Sequence, residues 1–318
     1  MRVSSFVRAR TRYVRSVVFI SLSALFIVFV MVCSMRVLKA VPFRQAFVIA
    51  TDPMRIISWD TTRTALQVVS MPSDILISGA FGYGQYALSA IQTLDTLDHK
   101  NGMLLSQSVS QAVGMPITGA IFTKSFPPDT PVLDTLKRHF SWRSIGQRLV
   151  GRVGTTVSFS DWIHIVLLVH TLGTDDVEVL NLATAVTQMS RPDGVTVRVL
   201  DPQKVDYILG NSFHDTKLRN ENKTVTIINT TTVFGIGSHI ARMVNRFGIQ
   251  VVSVGNQTEQ IDNCQLETDK KTKNSLTYQF LKAYFRCSET LGLGESEVSD
   301  ITLRLGTRVG AMFVSIEK

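Results

Sequence analysis

VTIINTTTVFGIGSHIARMVNRFGIQVVSVGN, residues 225–256, runs from an apolar strand through a Gly-x-Gly turn and a helical run into a second apolar strand. Such a stretch is either a phosphate-cradling loop or a plain β-α-β unit. A dinucleotide loop needs a third glycine three residues after the second, and an acid at the end of the second strand to hold the ribose. Ile240 holds the third-glycine position, and the second strand ends in Gly255 and Asn256. No Lys-Ser/Thr pair follows the glycines, so a Walker loop fails as well. The pattern predicts instead a tight turn at Gly235 and Gly237, since glycine tolerates positive φ. Ile240, Met243 and Val244 are then expected to pack against the strands.

With nucleotide binding set aside, the same stretch resembles the LytR C-terminal domain. That family shows a strand ending in Asn-Gly-Thr, then Gly-Leu-Ala, a helix, a glycine and a strand ending near Val-Gly-Asn. The matching residues are IINTT, GIGSHIA, Gly248 and VVSVGN, with Thr230 for the glycine and Gly237 for the alanine. The resemblance covers about 223–313. It implies a small α/β module without known chemistry of its own, placed at 223–318. Such a module often follows a LytR-CpsA-Psr domain in membrane-anchored, exported proteins.

RIISWDTTRTALQVVSMPSDI, residues 55–75, reads as two strands around a polar turn. It is similar to the LytR-CpsA-Psr core, in which a hairpin runs into Ser-Ile-Pro-Arg-Asp-Thr. Ser70, Met71, Pro72, Ser73, Asp74 and Ile75 stand at those places, and GYGQYALSAIQTL and GMPITGAIF look like the next family elements. The likeness spans about 45–122. Members of that family typically transfer a glycopolymer from a polyprenyl pyrophosphate carrier to peptidoglycan. Arginine forks suit the pyrophosphate oxygens, acidic side chains hold magnesium, and an apolar groove holds the lipid. This chain departs from that pattern. Ser73 stands where the phosphate-gripping arginine is expected, and no Tyr-x-Arg-x-Arg element is recognisable. HFSWRSIGQR, residues 139–148, offers Arg143 and Arg148 at a different spacing. Asp74 is the remaining candidate catalytic and metal residue, and a turn or cap role is its alternative. Loss of one charge-assisted contact to a transition state costs ~100–1000-fold in rate.

At the other end of the chain, five arginines lie within the first fifteen residues, which hold no acid, so the net charge of +8 says little about the folded part. No charge occurs from 16 to 35, about the length a helix needs to cross a bilayer. Arg36 and Lys39 follow instead of a small-x-small cleavage site, which favours a retained anchor over a signal peptide. The leading arginines favour a cytoplasmic N-terminus with the bulk of the chain extracytoplasmic. Cys264 and Cys287 fall in the exported part and are candidates for a disulfide; two free buried thiols are the other reading.

Between these landmarks, helices are expected over 87–97, 103–113, 132–149, 160–172, 202–209 and 275–286. Asp161 or Ser160 is placed to cap the fourth. Strands are expected at 117–122, 195–200 and from 298. Residues 78–86 read as glycine-rich loop, and the polar run 211–223 as the boundary between modules. His164 and His170 sit on an apolar helix but not on one face, which fits core or partly exposed side chains rather than a ligand pair. No triad spacing occurs, and an extracytoplasmic location argues against nucleic acid.

The fold class expected is α/β: a basic cytoplasmic tail (1–16), a transmembrane helix (17–35), a degenerate LytR-CpsA-Psr-like domain (45–212) and a LytR C-terminal domain (223–318). The resemblance with its missing arginine implies a non-catalytic cell-envelope protein in the membrane. It would bind cell-wall glycan, lipid carrier or a partner protein, with no cofactor. The alternative is an active phosphotransferase using magnesium and a rearranged clamp of Arg55, Arg63 or Arg143. A third reading is an assembly protein acting through the strand edges of the C-terminal module.

Overall fold

The computed structural model describes residues 43–60, 65–123, 131–151, 153–290 and 299–313; the expected tail, the anchor at 17–35 and Arg63 lie outside them. Among the described residues no helix is long and apolar enough to cross a membrane. Strands β1 (Gln45–Ala50), β2 (Met54–Trp59) and β3 (Leu66–Met71) come first, then the short β4 (Leu76–Ser78) and β5 (Gln85–Ala87). Helices α1 (Leu88–Leu97) and α2 (Met103–Val113) lead to β6 (Gly119–Phe122). Helices α3 (Val132–His139), α4 (Trp142–Leu149) and α5 (Phe159–Thr171) precede β7 (Val177–Asn181), β8 (Val186–Ser190) and β9 (Thr196–Leu200). Helices α6 (Pro202–Leu209) and α7 (Thr216–Glu221) then give way to β10 (Thr224–Asn229), α8 (Ile236–Arg246) and β11 (Gln250–Asn256). The chain continues through β12 (Gln265–Thr268), α9 (Leu276–Phe285), β13 (Ser288–Thr290), β14 (Ile301–Leu305) and α10 (Thr307–Phe313).

The first sheet has the order β6-β1-β2-β3-β7. Its three central strands form an antiparallel meander, and β6 and β7 join in parallel at the edges. Residues of β1 and β2 are buried throughout, so each face must be covered. Ala46, Val48, Met54, Ile56 and Val69 face a core shared with α1 and α2. Phe47, Ile49, Ile57, Trp59 and Val68 face a second core against α3 and α5, where Phe140 and Trp162 are fully buried. A separate four-stranded sheet has the order β5-β4-β9-β8.

The opening stretch folds as the β-α-β unit expected of it. β10 and β11 pair in parallel, and Ile240, Met243 and Val244 are buried. Gly235 is left-handed at φ +75°, which serves the turn. Gly237 is different: it is helical, and a Cβ there would lie 2.7 Å from Val254 Cγ1, so it is required by close approach of helix to strand rather than by φ. This unit belongs to a five-stranded sheet, β11-β10-β14-β12-β13, in which a second parallel pair, β12 and β13, is bridged by α9. Cys264 and Cys287 are joined by a disulfide across that second unit.

The polar run 211–223 separates the sheets but is packed rather than free. Asp215 is fully buried; it caps α7 by accepting from Lys217 N (2.8 Å) and Leu218 N (3.0 Å), and its own N–H donates to Phe247 O (2.9 Å). Residues of both halves share one core, with Phe43 set edge-on to Phe280 at 5.3 Å. Asp206 of α6 accepts from Arg242 Nε of α8 (2.9 Å) and pairs with the nearly buried Arg246.

Three local expectations are corrected. The single helix over 132–149 is broken at Phe140 and Ser141 into α3 and α4. Ser158, not Ser160 or Asp161, caps α5, its Oγ accepting from Asp161 N (3.1 Å). Residues 78–86 are not all loop, since β5 pairs with β4 there.

The 23-residue separation of the bridged cysteines gives a loop-closure stabilisation of about 3 kcal/mol. The C264A/C287A double variant is expected to unfold at correspondingly lower urea concentration in equilibrium denaturation.

Candidate functional site

Asp74 follows β3 at the end of the first sheet, beside β4. Its carboxylate is paired with the guanidinium of Arg198, which β9 brings alongside because Val199 pairs with Leu76. Both side chains are exposed, Arg198 by 43% and Asp74 by 60%, so the pair adds little stability. Its effect is on local charge: anion and cation neutralise each other at the rim of a hollow of about 580 Å³. Asp52, Ser70, Ser73, Ser89 and Asn181 line that hollow. Ser73 Oγ donates to Asp52 Oδ1 (2.5 Å), and Asn181 Oδ1 accepts from Ala183 N (2.9 Å). The lining is therefore short hydroxyls, an amide and carboxylates, a set that both donates and accepts.

The other candidate cations are not lining residues of this hollow. Arg55 pairs in register with Ser70 but is itself buried among the strands, and burial holds its guanidinium below the ordinary value. Arg143 is exposed on α4, away from the hollow's lining residues, and Arg148 Nη2 donates to Val157 O (3.0 Å). Arg63 lies outside the described residues. Asp74 is engaged by a guanidinium, Asp52 by Ser73, and among the described residues no group of three His, Cys, Asp or Glu is placed to hold a metal. Sequence reading missed Arg198. Its one signal is the alternation in TVRVL, which puts the arginine on an exposed strand face.

A second concavity, of about 450 Å³, opens between β4, β9 and the N-terminal turn of α8. Met189, Phe234, His239 and Arg242 line it. The His239 ring meets Phe313 edge-on at 5.3 Å, and its Nε2 is buried without a hydrogen-bond partner among the described residues. Burial first, and the charge of Arg242 second, push its pKa down to about 4. His164 is half-buried, and His170 is exposed and stacked on Trp142 at 5.9 Å; neither joins the hollow.

No family model matches the sequence, and no curated protein matches it either. Solved structures similar to it include the transcriptional regulator yvhJ from Bacillus subtilis, 10% identical over 52% of this chain and 93% of that one, with a TM-score of 0.38. Another is the Lin1025 protein from Listeria innocua, 9% identical over 52% and 95%, at 0.38. A third is the LytR-CPS2A-psr family protein YwtF (TagT) with bound octaprenyl pyrophosphate lipid, 12% identical over 52% and 87%, at 0.35. The likeness is to LytR-CPS2A-psr proteins. At scores of this size neither the site nor the activity passes from those proteins to this chain.

A histidine whose folded pKa lies below its ordinary 6.5 stabilises the fold fully above pH 6.5 and loses that contribution as pH falls toward 4. The span corresponds to about 3 kcal/mol for His239. His139 is depressed in the same direction by burial, so H239Q is expected to remove only part of the acid-side slope in a stability–pH profile measured by urea denaturation.

Proposed function

We propose that the chain is a membrane-anchored, extracytoplasmic envelope protein that binds cell-wall glycan at the Asp74 hollow without turnover. The observation that carries the reading is the Asp74–Arg198 pair in a hydroxyl-lined hollow with Ser73 beside it. A diphosphate needs guanidinium groups in excess of carboxylates, and here the carboxylates of Asp52 and Asp74 outnumber the guanidinium of Arg198 that reaches Asp74. An uncharged glycan needs alternating donors and acceptors, which Ser70, Ser73, Ser89, Asn181 and Asp52 supply. The uncharged run 16–35 supports the anchor, and the Cys264–Cys287 bridge supports an oxidising compartment. The C-terminal module, read as a LytR C-terminal domain, has a parallel β-α-β unit, β10-α8-β11, at the residues that carry that resemblance.

The phosphotransferase alternative draws on Arg55, Arg63 or Arg143; Arg55 and Arg143 are not among the hollow's lining residues, and Arg63 lies outside the described residues. Isothermal titration with soluble peptidoglycan glycan strands tests the favoured reading. Native chain is expected to bind, and S89A and N181A each to weaken binding at least about fivefold, a neutral hydrogen bond being worth ~1 kcal/mol. Native-like binding by both variants, or magnesium-dependent transfer of lipid-linked glycan, would overturn it.

A further inference from the structure

Helix α4 turns an apolar stripe outward. Trp142, Leu149 and Val150 are exposed by 60%, 68% and 67%. At 100° per residue they fall within an arc of about 100°, with Gly146 between them. The opposite face is fixed to the body. Ser144 is buried and its Oγ accepts from Trp162 Nε1 (3.1 Å), and Arg148 donates to Val157 O. The packing of α4 on α5 holds Trp142 and Leu149 outward, and Val150 follows them as the C-cap.

The segment that carries it is cationic. Residues 131–151 carry Lys137, Arg138, Arg143 and Arg148 against Asp134, four cations to one anion and a net +3. Arg138 and Arg143 are exposed and form no ion pair among the described residues. Tryptophan and leucine projecting between basic side chains is the pattern that settles into the headgroup boundary of an anionic bilayer, the rings entering and the guanidinium groups pairing with lipid phosphate.

Chain length bounds how far the start of the body lies from the uncharged run. Seven residues, 36–42, lie between the uncharged run and the start of the described body. Fully extended they span at most about 25 Å. We propose that α4 docks on the anionic phospholipid surface through Trp142, Leu149 and Val150, with Arg138 and Arg143 on lipid phosphates. The inference leans on the anchored reading only for that proximity; the stripe and its charge stand without it.

The three tryptophans make the test selective, because Trp59 and Trp162 are buried and Trp142 is not. Full-length chain is reconstituted in phosphatidylcholine vesicles with and without phosphatidylglycerol, containing brominated lipid. Docking predicts quenching of about one third of the emission in the anionic vesicles, less in the neutral ones, and none for W142F. It also predicts that L149E/V150E abolishes the quenching. Carbonate extraction of the same samples reports the anchor separately, so its failure and that of docking are distinguishable. Unchanged emission with Trp142 still open to iodide would overturn the proposal. Shielding from iodide without brominated-lipid quenching would overturn it too, and would assign the stripe to a second copy or another protein.

Discussion

Strands β1, β2 and β3 carry apolar side chains on both faces, and a sheet of that kind is stable only if both faces are kept from water. The rest of the architecture answers that constraint. One face is covered by α3 and α5, with Trp162 and Phe140 packed at 4.9 Å. The other is covered by α1 and α2, whose outer surfaces extend the same core into the C-terminal sheet. Burying one large apolar side chain is worth ~1.5–3 kcal/mol, so the contact of Phe43 with Phe280 outweighs any surface ion pair in joining the halves.

Filling both layers with side chains also decides where a ligand can sit. The described residues between the first sheet and α3 and α5 are buried against one another, so an alkyl chain entering there would have to displace aromatic rings. Polar hollows are left to the rim, where the first sheet gives way to the four-stranded one. There β4 and β9 set Arg198 against Asp74. The guanidinium of Arg198 is satisfied by Asp74 within the protein, and the lining residues of the hollow carry hydroxyls, an amide and carboxylates.

Much of the fold was legible because periodicity reports burial. The hairpin of β2 and β3, helices α1, α2 and α6, and the β10-α8-β11 unit follow from apolar spacing and from glycine or aspartate at element ends. The break at Phe140 was not, since the spacing continues through it and only the packing of Phe140 on Trp162 turns the chain. The run 211–223 read as linker because it is polar, yet the buried Asp215 finds backbone donors there, a compensation visible only in three dimensions. At the site, Asp74 was legible from its place after Ser-x-Pro. Arg198 was not, being 124 positions away on a strand whose partner is set by topology. Gly237 was anticipated for the wrong reason, a positive φ rather than the nearness of Val254.

The account turns on Asp74 occupying the guanidinium that a diphosphate would need. Calorimetric titration of inorganic pyrophosphate into native chain and D74N, with and without magnesium, separates the two roles of that carboxylate. If Asp74 masks Arg198, native chain binds pyrophosphate weakly and D74N binds it several-fold more tightly, irrespective of magnesium. Tight magnesium-dependent binding by the native chain that D74N abolishes would contradict the account.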